Sequence, residues 1–149
     1  MSDAFHLNYV SPEQQVSPFM EHNRMQICSM GTDSSVLRVE LTDASRNLHG
    51  VAHGGLLTAM ADCAAGVTAR AGGEDYITLS SHYSFLRNVR SGAVYARADM
   101  VKRGRQIAVL RVSVTDEGGT LLLDGTVEMI HRENRPDGAS GEKSREEKG

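Results

Sequence analysis

The 149-residue sequence lacks the features that mark nucleic-acid binding, export or membrane insertion. Its formal net charge is only −3 at neutral pH, so no positive surplus predicts attraction to nucleic acid or to an anionic membrane surface. Its first residues lack a basic region followed by an apolar run, so we expect no export signal and a cytoplasmic protein. The longest apolar stretch, residues 55–69, is shorter than the roughly 20 residues of a membrane-spanning helix and contains an aspartate.

Cysteine is scarce, with Cys28 and Cys63 as the two examples. A cytoplasmic chain with an adequate core neither needs nor readily keeps a disulfide, so we expect two packed thiols. Cys63 is a weak candidate nucleophile because its apolar neighbours would raise the pKa of a thiol. His49 and His53 have the four-residue spacing of a helical metal site, but nearby glycines disfavour a helix and no third ligand lies close. We therefore expect neither a metal nor a cofactor.

The length predicts one domain with a single core. Residues 1–34 form an N-terminal segment, in which a short helix after Ser17 would turn Phe19, Met20 and Met25 inward. Residues 35–131 form the domain itself. Residues 132–149 carry no large apolar side chain and mix charges of both signs, which predicts a mobile tail.

Strand patterns dominate the predicted domain. The first segment alternates apolar and charged residues, and the later ones are separated by short turns containing Asn or Gly. The predicted strands are Ser35 to Thr42, Ile77 to Leu86, Ala93 to Val101, Ile107 to Thr115 and Thr120 to Ile130. Between the first two lies one long helix that is apolar nearly all round and must therefore be enclosed. The sequence predicts an α+β fold in which an antiparallel sheet curls around this helix.

An aspartate interrupts the apolar helix. At helical spacing Asp62 meets only Thr58, Ala59, Ala65 and Gly66, so no cation on the same face offsets the cost of removing its carboxylate from water. A carboxylate placed so unfavourably for folding is typical of a catalytic group.

The segment before the helix is rich in glycine, with Gly50, Gly54 and Gly55 in positions where the backbone can approach a ligand closely. The first turn of a helix leaves N–H groups without partners inside the helix. These donors and the helix dipole together can stabilise the negative charge that develops on a carbonyl oxygen under attack.

Asp62 follows Gly54 by eight residues, which corresponds to about 12 Å of helix rise. One reacting atom cannot contact both groups of the same chain. A second copy of the chain would bring its helix start to this carboxylate, and the open edges of a sheet offer a way to pair copies. We therefore predict a homodimer with composite sites.

Asn47, the triplet His53-Gly54-Gly55 and Asp62, with their spacing and the helix between them, resemble the signature of hotdog-fold acyl-CoA thioesterases of the phenylacetate-degradation type. The resemblance extends over roughly residues 35–131. It includes the Phe85-Leu86 strand and a turn of similar sequence, Lys102-Arg103-Gly104-Arg105.

The resemblance implies hydrolysis of a small or medium acyl-CoA, with aromatic acyl groups among the candidates. Gly54 N–H would polarise the thioester carbonyl, while Asp62 of the partner chain would activate water or attack directly. Asn47 would position the carbonyl or the water, although it is also a plausible turn residue. His53 would act as an acid or base, or hold the turn through a backbone hydrogen bond. A hydroxyl on the following strand would be Thr78, with Ser80 as the alternative.

The substrate is expected to contact several further residues. Gly55, Ser80 and His82 would lie near the acyl group, in a pocket whose other candidate lining residues are Leu57, Met60 and Ser84. The phosphates of coenzyme A would meet the turn Arg103-Gly104-Arg105. The implied assembly is a homodimer that pairs again into a dimer of dimers. Two other functions stay open: an acyl-thioester hydratase or dehydratase that uses His53, and a non-catalytic acyl-CoA binding module.

Overall fold

Two short helices open the part of the chain that the structure, a computed structural model, describes, namely residues 11–132. Helix α1 spans Pro12–Gln15 and helix α2 spans Pro18–His22. Helix α2 begins where the sequence predicts, because the Ser17 hydroxyl accepts a hydrogen bond from Met20 N–H at 3.2 Å and caps the first turn. The predicted tail lies outside the described residues except for Arg132.

The contacts of α2 agree only in part with the expectation. Met20 and Met25 are buried, as predicted, but Phe19 is 55% exposed. On a helix of five residues the side chain next to an inward residue is rotated by about 100°, so Phe19 and Met20 cannot both face the core. The inward assignment of Phe19 was wrong.

One antiparallel sheet contains six strands in the order β1-β2-β4-β5-β6-β3. The five predicted strands are present at nearly the expected positions. Strand β1 was not predicted, because it is only four residues long and mostly exposed. The strands are β1 Gln26–Ser29, β2 Ser34–Glu40, β3 Tyr76–Phe85, β4 Ala93–Arg103, β5 Ile107–Asp116 and β6 Leu121–His131.

Helix α3, Gly54–Arg70, packs against the concave face of the sheet and contacts β2 to β6. The predicted α+β hotdog fold, a curved antiparallel sheet around one long helix, is confirmed. Ten residues of α3 are buried, including Leu57 and Met60. A second stripe of the helix stays at least partly exposed and contains Gly55, Thr58, Ala59, Asp62 and Cys63. Since the sheet covers the buried residues and leaves this stripe uncovered, the side of the helix that carries the aspartate is open in the single chain.

Strand β3 is one edge of the sheet and contains a bulge. Its register against β6 shifts between Thr78 and Ser80, so Leu79 is an extra residue without a direct partner. Directly paired residues lie on the same face of a sheet. The residues after the bulge therefore point to the faces opposite to those that an uninterrupted alternation would give them. Thr78 pairs with the buried Met129, whereas Ser80 pairs with the exposed Glu128.

Candidate active site

His53 organises the start of α3. Its Nδ1 accepts a hydrogen bond from Gly55 N–H at 2.9 Å, and its carbonyl oxygen accepts from the N–H groups of Leu56 at 2.9 Å and Leu57 at 3.2 Å. A Cβ on Gly55 would lie 3.0 Å from His53 Nδ1, so a larger residue there would press on the capping imidazole. The histidine thus holds the turn, which is one of its two expected roles. Within residues 11–132 the N–H of Gly54 donates to no other group and remains available.

Asn47 holds the loop that leads to this helix start. Its Oδ1 accepts hydrogen bonds from the N–H groups of His49 at 2.9 Å and Val51 at 3.3 Å. This geometry is that of a turn-forming asparagine. The carbonyl end of the side chain is therefore occupied, and only the Nδ2 amide could donate to a substrate or a water molecule.

The carboxylate of Asp62 is held from β3. Thr78 Oγ1 donates a hydrogen bond to Asp62 Oδ1 at 2.6 Å, while Ser80 Oγ donates to Glu128 Oε2 at 2.9 Å on the opposite face of the sheet. The structure thus brings Thr78, and not Ser80, to the aspartate. The second carboxylate oxygen, Oδ2, has no hydrogen-bond partner within residues 11–132.

Strand β3 runs alongside the open stripe of α3 from one candidate group to the other. At one end Thr78 contacts Asp62, and at the other a Cβ on Gly54 would lie 3.3 Å from Cε1 of Phe85. The strand and the helix stripe therefore border one open strip of surface, called the groove below, with the carboxylate at one end and the free N–H at the other.

The bulge decides which β3 side chains face this groove. Beyond Leu79 the inward residues are Ser81, which pairs with the buried Val127, then Tyr83 and Phe85. His82, Ser84 and Ser80 face the convex side, so the expectation that these three line the pocket on the helix side is corrected. Ser81 and Tyr83 are the residues that sequence reasoning missed. The glycine inside β6, Gly125, was the available signal, because such glycines often mark bulges or close approaches.

Arg103 lies at the far end of α3, turned inward. Its guanidinium donates hydrogen bonds to the carbonyl oxygens of Ala69 at 3.0 Å, Thr32 at 3.1 Å and Thr68 at 3.4 Å. Its Nη1 also lies 3.8 Å from the carboxylate of Glu74. A cation that satisfies the last carbonyls of a helix stabilises its C-terminus. Both of its terminal nitrogens are already engaged, so the expected contact with coenzyme A phosphates is better assigned to its neighbours in the same turn.

Those neighbours border a cleft. Lys102, Gly104 and Arg105 line an open depression of about 510 Å³ together with Gln106, Ile107 and Val109. Arg105 and Lys102 are exposed there. The depression therefore combines two cations with an apolar floor.

The different contacts of two neighbouring arginines give a testable distinction. Arg103→Ala should lower the free energy of unfolding by roughly 2 kcal/mol, because carbonyl groups at the end of α3 lose their donors. Arg105→Ala should change the free energy of unfolding by less than about 0.5 kcal/mol, as expected for an exposed side chain. Urea denaturation of both variants checks the difference. Equal stability of the two variants would contradict the capping role of Arg103.

Cys63 lies on the open stripe beside Asp62. Burial, with a contribution from the neighbouring carboxylate, raises the pKa of the Cys63 thiol to about 11. The expectation of an unreactive Cys63 is thus supported, whereas Cys28 is exposed and is not the packed thiol that the sequence predicted. Within residues 11–132 no cluster of three or more His, Cys, Asp or Glu side chains could hold a metal ion.

The raised thiol pKa predicts selective alkylation. With a pKa of about 11, roughly one Cys63 in a thousand is ionised at pH 8. Iodoacetamide should therefore modify the exposed Cys28 and leave Cys63 largely unmodified. Raising the pH toward 11 should increase the rate at Cys63, because the thiolate is the reacting form. Peptide mass spectrometry of a time course gives both rates, and faster labelling of Cys63 at pH 8 would refute the assignment.

Known proteins are similar to this chain in sequence and in architecture. Residues 49–123, half of the chain, match the family model of the thioesterase superfamily. A provisionally named esterase of Deinococcus radiodurans is 30% identical, with 83% of this chain and 87% of that protein covered. A mutant structure of the phenylacetic acid degradation protein PaaI from Thermus thermophilus is 31% identical with a TM-score of 0.72, and the match covers 78% of this chain and all of that one.

A third structure is similar in fold. The hypothetical thioesterase protein with coenzyme A from Streptococcus pneumoniae is 24% identical with a TM-score of 0.70, covering 78% of this chain and 99% of that chain. The sheet, the enclosed helix and the glycine-rich helix start together define a hotdog-fold enzyme that acts on thioesters. The chain belongs to the thioesterase superfamily, as a thioester hydrolase of the PaaI-like type. None of its helices within residues 11–132 has the length and apolarity to cross a membrane.

Proposed function

We propose that the protein hydrolyses a small or medium acyl-CoA to the free acid and coenzyme A, with aromatic acyl groups among the candidates. The observation that carries the proposal is the pairing of two available groups along one groove. These groups are the carboxylate of Asp62, fixed by Thr78 at 2.6 Å, and the uncommitted N–H of Gly54. A carboxylate and a preorganised amide donor are the two elements that thioester hydrolysis requires.

The active site is proposed to lie between two copies of the chain. Asp62 and Gly54 of one chain are about 12 Å apart along the helix, too far to act on one carbonyl group. Asp62 lies on the open stripe of α3 and Gly54 lies at the start of the same helix. Both are next to β3, whose outer edge has no strand partner within residues 11–132. Pairing of two such edges around a two-fold axis would cover the stripe and bring each carboxylate toward the other helix start.

Exposed apolar side chains support this contact. Leu48, in the loop before α3, is fully exposed, and Phe85 and Leu86 at the end of β3 are each more than half exposed. Such side chains around a polar site are typical of a surface that another chain covers. We propose a homodimer in which Asp62 and Gly54 of opposite chains form each site, and a dimer of dimers as the further assembly.

The chemical steps follow from this arrangement. Gly54 N–H of the partner chain would donate a hydrogen bond to the thioester oxygen as negative charge develops on it. A water oxygen would attack the carbonyl carbon while Asp62 Oδ2 accepts the water proton. The C–S bond then breaks, and the departing thiolate takes up that proton. In the second route Oδ2 itself attacks, the thiolate leaves, and water hydrolyses the resulting mixed anhydride.

Coenzyme A is the proposed carrier. The similar structure from Streptococcus pneumoniae contains coenzyme A. In this chain Lys102 and Arg105 border an open cleft with an apolar floor, a combination that suits phosphate groups beside an adenine ring. Arg105→Ala should therefore raise KM for acyl-CoA more than it lowers kcat.

The hydratase alternative depends on His53. Nδ1 of that imidazole caps α3 at 2.9 Å, so only Nε2 is free for proton transfer, and no observation favours such a role over the cap. The non-catalytic alternative has no use for a carboxylate on the open stripe of α3. Thioester hydrolysis therefore explains more of the site than either alternative.

A thiol-release assay across acyl-CoA and acyl-carrier thioesters tests the proposal. Wild-type protein should release free thiol from at least one short or medium acyl-CoA. Hydration of an enoyl-CoA without thiol release, abolished by His53→Ala, would establish the hydratase alternative. Acyl-CoA binding measured by calorimetry, with no turnover of any thioester, would establish the binding module.

A further inference from the structure

The proposed chemistry leaves one aromatic side chain in the groove without a role. Tyr83 follows the bulge on the inward face of β3, between the contact of Thr78 with Asp62 and the contact of Phe85 with Gly54. Like Cys63, it packs against the hydrophobic core while remaining partly exposed. The ring therefore lies partway along the groove, within reach of any group that extends from the carboxylate toward the helix start.

A glycine on the neighbouring strand leaves room for this ring. A Cβ on Gly125 would lie 2.2 Å from the carbonyl oxygen of His82 and 2.8 Å from Cδ1 of Tyr83. A side chain at position 125 would therefore clash first with the backbone of β3 and then with the ring, which lies directly over the glycine. Glycine inside a strand weakens it, so this arrangement is maintained at a cost to stability. The ring is thus held against a rigid backbone.

The surroundings of Tyr83 include Ser81 and Asp62. Burial raises the pKa of the Tyr83 hydroxyl, a nearby Ser81 hydroxyl opposes the change, and the charge of Asp62 adds to it.

Building on the proposed function, we propose that Tyr83 sets the maximum length of the acyl group. In the proposed dimer, Asp62 at one end of each groove belongs to one active site. Gly54 at the other end of the same groove belongs to the second active site. An acyl group that extends along the groove from Asp62 would meet the Tyr83 ring before it reached that second site. The ring, backed by Gly125, cannot recede into β6. Short acyl groups fit, and longer ones collide with the ring.

Hydrolysis rates over a series of straight-chain thioesters, from acetyl-CoA to palmitoyl-CoA, test this assignment. Tyr83→Ala should move the optimum of kcat/KM to longer chains, with the long-to-short ratio rising roughly ten-fold or more, as expected when a pocket gains space for methylene groups. Tyr83→Phe, which keeps the ring, should retain the wild-type profile. Tyr95→Ala is the matched control, because Tyr95 pairs with Thr115 on the convex face beside Arg38.

Several outcomes would overturn the assignment. An unchanged length profile in Tyr83→Ala would show that the ring does not end the pocket, and an equal shift in Tyr83→Phe would point to the hydroxyl instead of the bulk. If Tyr83→Ala loses its thermal unfolding transition, Tyr83→Leu carries the same test with less loss of packing. Failure of the proposed function is distinguishable, since wild-type protein would then release no thiol from any member of the series.

Discussion

Replacing Asp62 with asparagine should lower kcat for acyl-CoA hydrolysis by roughly 1,000-fold, within the range that a lost general base or nucleophile produces. The substitution keeps the shape of the side chain, and its amide oxygen can still accept the hydrogen bond that Thr78 donates at 2.6 Å. What is lost is the basic oxygen that accepts a proton or attacks carbon. The fold should be retained, because no cation within residues 11–132 forms an ion pair with this carboxylate.

A second aspartate provides the matched control. Asp99 lies on the convex face of the sheet, where it accepts hydrogen bonds from the guanidinium of Arg97 at 3.0–3.1 Å. Asp99→Asn should keep kcat within about two-fold of wild type, as for a surface ion pair remote from the groove. Circular dichroism and thermal melting establish that both variants fold. Retention of a tenth or more of the wild-type kcat by Asp62→Asn, with deamidation excluded by mass spectrometry, would refute its catalytic role.

Gly54 offers a way to remove a single N–H group without unfolding the helix. Proline is favoured at the first helical position. The preceding residue, His53, has an extended backbone with φ −64° and ψ 130°, which is compatible with a following proline. Gly54→Pro should lower kcat by about 100- to 1,000-fold, the usual effect of losing one oxyanion donor. Gly54→Ala adds a Cβ but keeps the N–H, and the Phe85 ring 3.3 Å away is 56% exposed and can shift.

Gly54→Ala should therefore lose less than about ten-fold in kcat, and the difference between the two variants isolates the N–H group. Both rates are measured by thiol release with the same acyl-CoA. If the alanine and proline variants lose equal activity, steric contact with Phe85 explains the effect and the oxyanion role is refuted.

The same variants test the shared site. Asp62→Asn and Gly54→Pro chains, co-expressed in equal amounts, would form mixed dimers in which one site receives an intact carboxylate and an intact amide from opposite chains. Random pairing then restores about a quarter of the wild-type activity, although each parent variant is nearly inactive. Activity no higher than the mean of the two parents would place both groups in a single chain.

Much of the fold was predictable because strong periodic patterns carry it. Alternating strands such as β2 and the apolar helix α3 gave positions close to the observed ones. Strand β1 and helix α1 were missed, since four-residue elements contain too little pattern for either period to show. The inward assignment of Phe19 failed for the same reason, because a single turn of helix does not define an apolar face.

The residues of the candidate site were predictable to different degrees. Asp62 stood out as a candidate because a carboxylate in an apolar helix conflicts with folding, and the free N–H of Gly54 follows from its position at the helix start. The facing of β3 was harder to predict, because the extra residue Leu79 changes the alternation and the available signal, Gly125, lies on a different strand. Arg103 was misjudged since a basic turn looks the same whether its cation faces solvent or the end of a helix. Only three-dimensional contacts separate these cases.

The irregularity at Leu79 also bears on how such an enzyme could diversify. Removing that one residue would close the bulge, while Ser80 and the residues after it would keep their partners on β6. Ser81 and Tyr83 would therefore still face the helix, and a gain or loss of one codon at this point would leave the rest of this wall in place. The bulge thus lets the strand absorb a change in length, and selectivity along this wall would change through point substitutions.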